Sequence, residues 1–193
     1  MMFRPLVVRH ILLSFIFIVF FSSCSHVMKK DEVKNEFRND FYALQAVPAS
    51  FLNTSVLESL VFKNAQTQKL LTQIEFNDKG LHMVAMTYSG LPIIQAKWQY
   101  NVGFIELISQ RFPHAVVMRM IRDIQWVKWP IHSIRKGLLD KYSLDEFSEK
   151  NYKIRQIKYN NTVLVKITYR SDHIVLENTA EKYALVIEQL NDK

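Results

Sequence analysis

The stretch LHMVAMTYSGLPIIQAKWQY, Leu81–Tyr100, contains two apolar-rich segments separated by Ser-Gly-Leu-Pro. In the second segment, apolar side chains alternate with polar ones from Ile93 to Tyr100. An apolar period of two residues is typical of a β-strand with one buried face. The stretch therefore predicts two neighbouring antiparallel strands, at Leu81–Tyr88 and Ile93–Tyr100.

The first of these strands is apolar on both faces. Leu81, Met83 and Ala85 would lie on one face, and the other face also carries apolar residues between Val84 and Tyr88. One interpretation is a central strand that protein covers on both sides. The other is a strand with one face lining an apolar cavity, where flexible methionine side chains adapt to acyl chains. The pattern favours neither.

Similar segments occur on both sides of this stretch, and short turn sequences such as NDKG and NN join several of them. Asn, Asp and Gly tolerate the positive φ angles that hairpin turns require. We therefore expect about eight or nine strands, most of them paired with their sequence neighbours in an antiparallel meander. The additional strands are predicted at Lys69–Phe76, Phe104–Ser109, Tyr152–Tyr159, Thr162–Arg170, Ile174–Glu177 and Tyr183–Leu190.

One region between the strands has a helical period. Apolar residues recur at helical spacing from His114 to Val127, between Pro113 and Pro130, which suit a helix start and stop. A second, shorter helix is predicted from Ile131 to about Leu139. A long antiparallel sheet twists and curls, so the helix pair can fill its concave face. The predicted class is α+β, a curved antiparallel sheet with helices packed on its concave face.

The N-terminus has the order of a secretory signal peptide. Arg4 and Arg9 precede an apolar run from Ile11 to Phe21, which is short for the roughly 20 residues of a membrane-spanning helix. The run ends in Phe-Ser-Ser-Cys, the pattern that bacterial lipoprotein signal peptidase cleaves, and Cys24 is the only cysteine. An uncleaved anchor from Leu6 to Phe21 is the alternative, but Arg9 and His10 interrupt it.

We therefore predict a signal peptide at 1–23, a lipidated Cys24, a flexible tether over 24–40 and a folded domain over 41–193. Two or more acyl chains on one cysteine hold a protein stably at a bilayer. Ser25 stands where an aspartate would favour retention in the inner membrane. The expected location is the outer membrane, with the domain in the periplasm. The processed chain would carry a net charge of 23 − 18 = +5, since only two basic residues are removed.

No pattern of an enzyme is present. The chain has no G-x-S-x-G, no H-E-x-x-H and no glycine-rich phosphate loop among its four glycines, and its histidines are scattered. We expect no catalytic residues, no cofactor and no metal site. Asp145 and Glu146 are predicted on a solvated loop. Nucleic acid is not an expected partner for a protein outside the cytoplasm, and a monomer is expected.

Basic residues cluster around the predicted helices, and Trp126 and Trp129 lie among them. Positive charge with tryptophan suits a surface that meets phospholipid headgroups. The alternative is a solvated helix face with two tryptophans packed in the core, and it is the more common arrangement. The basic residues are Arg119, Arg122, Lys128, Arg135, Lys136 and Lys141.

Four stretches together resemble the LolB-like outer-membrane lipoproteins. They are FSSC at the processing site, LHMVAMTYSGLPIIQAKWQY, MRMIRDIQWVKWP and ENTAEKYALVIEQL. The resemblance implies an unclosed barrel, with helices over its mouth and an apolar cavity between sheet and helices. On the patterns above, the cavity would be lined by Met83, Ala85, Ile94, Ala96, Trp98, Tyr100, Val117, Met120, Ile121 and Ile124.

LolB accepts acylated lipoproteins from the carrier LolA and places them in the outer membrane. The resemblance therefore implies an apolar or acylated ligand, a LolA-like periplasmic carrier and membrane lipid as partners. An exposed apolar residue on the loop after the third strand of LolB helps to deliver the cargo, and Leu91 is the matching residue here. Relatives encoded beside genes for fatty-acid-like or polyketide-like synthesis suggest a specialised lipid or pigment as cargo. A structural or adaptor lipoprotein that scaffolds envelope proteins is the competing hypothesis.

Overall fold

The computed structural model describes residues 41–109 and 112–190, which form ten β-strands, two α-helices and a short 3₁₀ turn at Ala49–Phe51. The helices are α1 (His114–Lys128) and α2 (Ile131–Gly137), and both lie between the fifth and sixth strands in the sequence. The strands are β1 (Thr54–Lys63), β2 (Thr67–Phe76), β3 (Gly80–Met86), β4 (Pro92–Gln99), β5 (Gly103–Ser109), β6 (Tyr142–Glu149), β7 (Tyr152–Tyr159), β8 (Thr162–Tyr169), β9 (Ile174–Asn178) and β10 (Tyr183–Gln189).

All ten strands belong to one antiparallel sheet, in the order β5-β4-β3-β2-β1-β10-β9-β8-β7-β6. The sheet is curved and unclosed, because β5 and β6 are its two edges and do not pair with each other. It consists of two five-stranded meanders, β1–β5 and β6–β10, which join where β1 pairs with β10. The predicted sheet-dominated α+β fold with two helices is confirmed at this level.

Eight strands correspond to predicted ones, and β1 and β6 have no predicted counterpart. Each of the two unpredicted strands carries a glutamate on its inner face, which is the face of the sheet that the helices cover. The glutamate interrupts the alternation of apolar and polar residues along the strand. Glu58 of β1 is only 3 % exposed and pairs with Lys128, and Glu146 of β6 pairs with Arg155. The prediction that Asp145 and Glu146 lie on a loop is wrong, because β6 runs through both residues.

The helix α1 packs its apolar side chains against the inner face of the sheet. Val117, Ile121 and Trp126 are fully buried, and so is Trp129 just after the helix. The ring of Trp129 contacts Phe76 at the end of β2, with the ring centroids 5.4 Å apart. Both tryptophans therefore belong to the core. This agrees with the interpretation of a solvated helix face with two core tryptophans, and not with a tryptophan-containing surface that meets lipid headgroups.

The start of the described chain is held against the helices. Tyr42 donates a hydrogen bond to Oε1 of the buried Gln125 at 2.9 Å, and the same amide exchanges two hydrogen bonds with the backbone of Gln45. Gly137 of α2 leaves room for this segment, since a Cβ there would lie 2.5 Å from the Tyr42 ring. These contacts thus fix the position of residues 42–45 beside α1 and α2.

The predictions for the N-terminal region lie outside the described residues. They are the signal peptide at 1–23, the lipidated Cys24 and the tether over 24–40. Within 41–109 and 112–190, neither helix has the length and hydropathy needed to span a bilayer.

Lowering the pH should weaken the fold through Glu146. Burial alone would raise its pKa, but hydrogen bonds from Arg155 and Lys153 outweigh burial and hold the pKa below its ordinary 4.5. A carboxylate with a lower pKa in the folded chain stabilises the fold above pH 4.5 and loses that effect as the pH falls through the folded value. We expect Glu146→Gln to unfold in urea about 1–2 kcal/mol more easily than wild type at pH 7.

This difference should shrink as the pH falls below 4.5 and vanish once the folded chain also protonates Glu146, because a protonated glutamate resembles glutamine. Glu149→Gln, at the exposed end of the same strand, is the control and should match wild type throughout. A difference for Glu146→Gln that stays constant between pH 7 and pH 3.5 would contradict the expected role of the carboxylate.

Candidate ligand-binding cavity

A cavity of about 280 Å³ lies between α1 and three strands in the middle of the sheet. This volume is near the lower end of small-molecule pockets, which span roughly 300–1,000 Å³. The strands are β1, β2 and β10, so the cavity lies where the two meanders join. It is lined by Glu58, Leu60, Phe62, Asn64, Gln68, Leu70, Ile74, Phe112, Val116, Arg119, Met120, Asp123, Ile124, Val127, Lys128, Glu181, Tyr183, Leu185 and Ile187.

The cavity has an open end and a deep end. Asn64 and Gln68, at the turn between β1 and β2, are exposed, whereas Glu58 and Ile74, further along the same strands, are buried. From Asn64 to Glu58 the strand advances six residues, or about 20 Å at roughly 3.3 Å per residue. The cavity is therefore long and narrow, with its mouth near the β1–β2 turn.

Its middle part is apolar. Leu60 and Phe62 of β1 face Met120 and Ile124 of α1 across the cavity, and all four side chains are only half-buried. Side chains between a sheet and a helix are usually fully buried when the two surfaces meet. Their partial exposure shows that α1 and β1 leave an apolar space between them.

The mouth carries a connected group of charged residues. The Arg122 side chain donates hydrogen bonds to Glu181 at 2.7 Å, to Asp123 at 3.2 Å and to the Tyr183 hydroxyl at 3.0 Å. Tyr183 donates to the second oxygen of Asp123 at 2.6 Å, and Arg119 bonds to Glu181 at 3.3 Å. This network joins α1 to the turn that precedes β10.

Burial shifts the protonation of this group. It raises the pKa of Asp123, and the neighbouring Arg122 and Tyr183 offset only part of that effect. Burial also raises the pKa of Tyr183 well above its ordinary value, and the adjacent Asp123 carboxylate adds to the shift. Burial would lower the pKa of Arg122, but the anionic neighbours raise it, so the guanidinium stays charged. The network is suited to holding α1 in place rather than to exchanging protons.

The deep end is also polar. The ammonium group of Lys128, the last residue of α1, lies 2.5 Å from Glu58 Oε1, and the two side chains are 11 % and 4 % exposed. Thr72 of β2 lies directly opposite Glu58 in the sheet register and is fully buried. Its hydroxyl has no hydrogen-bond partner among the described residues. Glu58 and Lys128 thus line the deep end of the cavity, and Thr72 lies beside Glu58 in the sheet without being among the lining residues.

The residues predicted to line a cavity on β3 and β4 lie elsewhere. The register places Met83 opposite Ile74 and Ala96, so both lie on the same face of the sheet as Ile74, which lines the cavity. Five of these residues are buried at 5 % exposure or less and are not among those that line the cavity described above; they are Met83, Ala85, Ile94, Ala96 and Trp98. Tyr100 follows β4 and is 37 % exposed. Their role as ligand contacts stays a prediction.

The residues predicted on α1 divide into two pairs. Met120 and Ile124 line the cavity, whereas Val117 and Ile121 are fully buried and are not among its lining residues. The walls that β1 and β10 contribute, including Leu60, Phe62 and Leu185, were not predicted from the sequence. The alternate spacing of Leu60 and Phe62 is typical of one face of a strand and could have indicated β1. Glu58 falls on the same face, and this charged residue interrupts the apolar pattern.

Leu91 lies on the loop between β3 and β4, and its side chain is 52 % exposed. Two hydrogen bonds between Thr87 and Leu91 close this loop, and Gly90 adopts the positive φ of 81° that its turn requires. Tyr88 on the same loop is 56 % exposed. The loop therefore presents two large apolar side chains to solvent from a defined backbone.

Fold and cavity together define a curved, unclosed antiparallel sheet that holds a helix on one face and a cavity beneath that helix. The chain belongs to the family described as protein of unknown function (DUF3261), whose model matches residues 58–191. The match begins within β1 and includes every later strand and both helices. No curated protein sequence matches the chain.

Proposed function

We propose that this protein is a lipid-anchored lipoprotein of the outer membrane, related to the LolB-like lipoproteins, whose half-barrel binds an acylated or similarly apolar ligand. It would help to move or insert that ligand at the membrane, with its anchor on Cys24. The cargo would be a lipoprotein, a specialised lipid or a pigment, and a LolA-like periplasmic carrier would deliver it. No covalent chemistry is required.

The cavity under α1 is the observation that carries this proposal. Its walls are made of half-buried apolar side chains, such as Phe62 and Met120, and apolar pockets with a few polar groups are typical of small-molecule sites. A narrow apolar cavity suits an acyl chain, since it removes the chain from water along its length. The exposed Leu91, on the loop after the third strand, supports the role in membrane insertion that the LolB resemblance implies.

The competing function is that of an adaptor, and the edge strand β5 favours it. Ile105 and Ile108 of β5 are 60 % and 55 % exposed, and Val102 just before the strand is 65 % exposed. An edge strand with exposed apolar residues can pair with a strand of another protein. An adaptor would be crosslinked to a protein partner and would carry no lipid.

Blocking the cavity should abolish ligand binding. We expect the full chain, purified from a bacterial envelope and released from detergent micelles, to carry a non-covalent apolar ligand in native mass spectrometry. Met120→Trp would fill the cavity from its α1 wall and should reduce the ligand-bound fraction about tenfold, since overfilling excludes other atoms from a packed space. The same readout identifies the ligand by its mass.

Met118→Trp is the matched control, because Met118 lies two residues away on α1 and does not line the cavity. This variant should bind as wild type does. A ligand-free mass for wild type that persists after incubation with envelope lipids would contradict the proposal and support the adaptor. Equal loss of ligand in both variants would show that binding does not depend on this cavity.

A further inference from the structure

The deep end of the cavity is built for a polar group. A cavity that takes only hydrocarbon gains nothing from a buried ion pair, because apolar residues of similar volume are usually as stable or more stable in such a position. Here the pair of Lys128 and Glu58 lies on the inner face, at the end furthest from the mouth. The hydrocarbon end of a ligand would meet these charges without satisfying them, at a cost in binding free energy.

The deep end also has unused hydrogen-bonding capacity. An ammonium group has three N–H donors, and Lys128 makes one hydrogen bond, to Glu58 Oε1, among the described residues. The second oxygen of Glu58 accepts no hydrogen bond from them, and the Thr72 hydroxyl has no partner there. One additional group that both donates and accepts would complete this arrangement.

The charge at the deep end selects a neutral group. The negative charge of Glu58 balances the positive charge of Lys128, and no other charged residue in the described part of the chain lines that end of the cavity. A carboxylate placed there would add one uncompensated charge to a buried site, which is unfavourable. A hydroxyl accepts from Lys128 and donates to Glu58 while leaving the charge balance unchanged.

The mouth differs from the deep end in its exposure to water. Arg119 lies at the mouth, its side chain is 43 % exposed, and its guanidinium is held at 3.3 Å from Glu181. An anionic group at the mouth can therefore remain in water beside Arg119. A ligand with a hydroxyl at its leading end and an anionic group at its trailing end would match both ends of the cavity.

We propose that the cavity takes a single acyl-type chain that enters with a hydroxyl at its leading end, and that the Lys128–Glu58 pair, beside Thr72, recognises this hydroxyl. The proposal rests on the proposed function, since it specifies the ligand of the same cavity. The volume of about 280 Å³ accommodates one short chain rather than several.

The test compares two chains of equal length with the full purified protein. Isothermal titration calorimetry would measure the dissociation constants of decanoate and of 10-hydroxydecanoate, which differ only by the terminal hydroxyl. We expect 10-hydroxydecanoate to bind about tenfold more tightly, as for a hydrogen bond to a charged group. The double variant Glu58→Leu/Lys128→Met replaces the pair with apolar residues and should lose this preference while still binding decanoate.

Thr72→Val is a second variant that keeps the shape of the side chain and removes its buried hydroxyl, so it should fold and show a reduced preference. Equal binding of the two chains by wild type would overturn the proposal and leave the proposed function in place. A tenfold preference that persists in both variants would also overturn it. If neither chain binds to wild type, both the proposal and the proposed function fail.

Discussion

Replacement of Arg122 by methionine should lower the free energy of unfolding by about 3–5 kcal/mol, the usual cost of removing one partner of a buried charge network. The side chain is 13 % exposed and holds the carboxylates of Asp123 and Glu181, which are 6 % and 13 % exposed. Methionine would leave both carboxylates without this partner inside the protein. It would also remove the guanidinium that lies 4.3 Å from the ring centre of Trp126.

Arg119→Met provides a matched control. Arg119 lies on the same helix and binds the same Glu181, but its side chain is 43 % exposed. Exposed ion pairs contribute at most about 1 kcal/mol, so this variant should unfold close to wild type. Urea unfolding followed by circular dichroism measures both variants, and equal effects for the two would contradict the importance of burial.

The loss caused by Arg122→Met should depend on pH through Asp123. Burial raises the pKa of Asp123, and Arg122 is the main group that opposes this shift. Without Arg122, the folded chain would hold the Asp123 proton to a higher pH, while the unfolded chain releases it near the ordinary value of 3.8. The folded variant then binds more protons than its unfolded form, so its stability falls as the pH rises. The difference from wild type should therefore be larger at pH 7 than at pH 4.

The second large effect is expected for Gly80→Ala, at the start of β3. A Cβ at this position would overlap the carbonyl oxygen of Trp98 in the neighbouring strand and lie 2.9 Å from Cα of Gln99. Both contacts are with backbone atoms, which cannot move aside unless β3 and β4 separate. We expect a loss of about 3 kcal/mol or more in the free energy of unfolding, at the upper end of overpacking effects.

Gly90→Ala is the matched control, because no atom of residues 41–109 or 112–190 lies within 4 Å of a Cβ at that position. Its φ of 81° costs an alanine about 1–2 kcal/mol of backbone strain, so this loss should be clearly smaller. A loss for Gly80→Ala no larger than for Gly90→Ala would show that β3 and β4 can separate at that end without breaking the sheet.

Much of the fold can be predicted from local patterns in the sequence. The alternation around Trp98 and the helical period from His114 both survive in the structure, because burial on one side dictates each of them. The strands β1 and β6 escaped prediction because Glu58 and Glu146 occupy inward positions. Their partners, Lys128 and Arg155, are distant in sequence, so no local pattern indicates that these charges are satisfied.

The cavity is harder to predict for a related reason. The apolar residues on both faces of β3 indicated that the strand is buried. They could not show whether its side chains pack closely against other residues or line a cavity. Met83 and Ala85 are packed at zero exposure, whereas the cavity lies where Leu60 and Phe62 fail to meet α1. A gap of this kind depends on the distance between a helix and a sheet, which is a property of the whole fold.

The pairing of β1 with β10 has a consequence for the order in which the molecule forms during synthesis. Glu58 is opposite Gln189, a separation of 189 − 58 = 131 residues, so the central ladder closes only after β10 has been made. Contacts between such distant residues slow folding, because loop closure must precede the stabilising contacts. Each five-stranded half can assemble from hairpins between neighbouring strands. The free edge of β1 stays unpaired until β10 is available. The emerging chain therefore presents an unpaired, aggregation-prone edge at β1 until β10 has been synthesised.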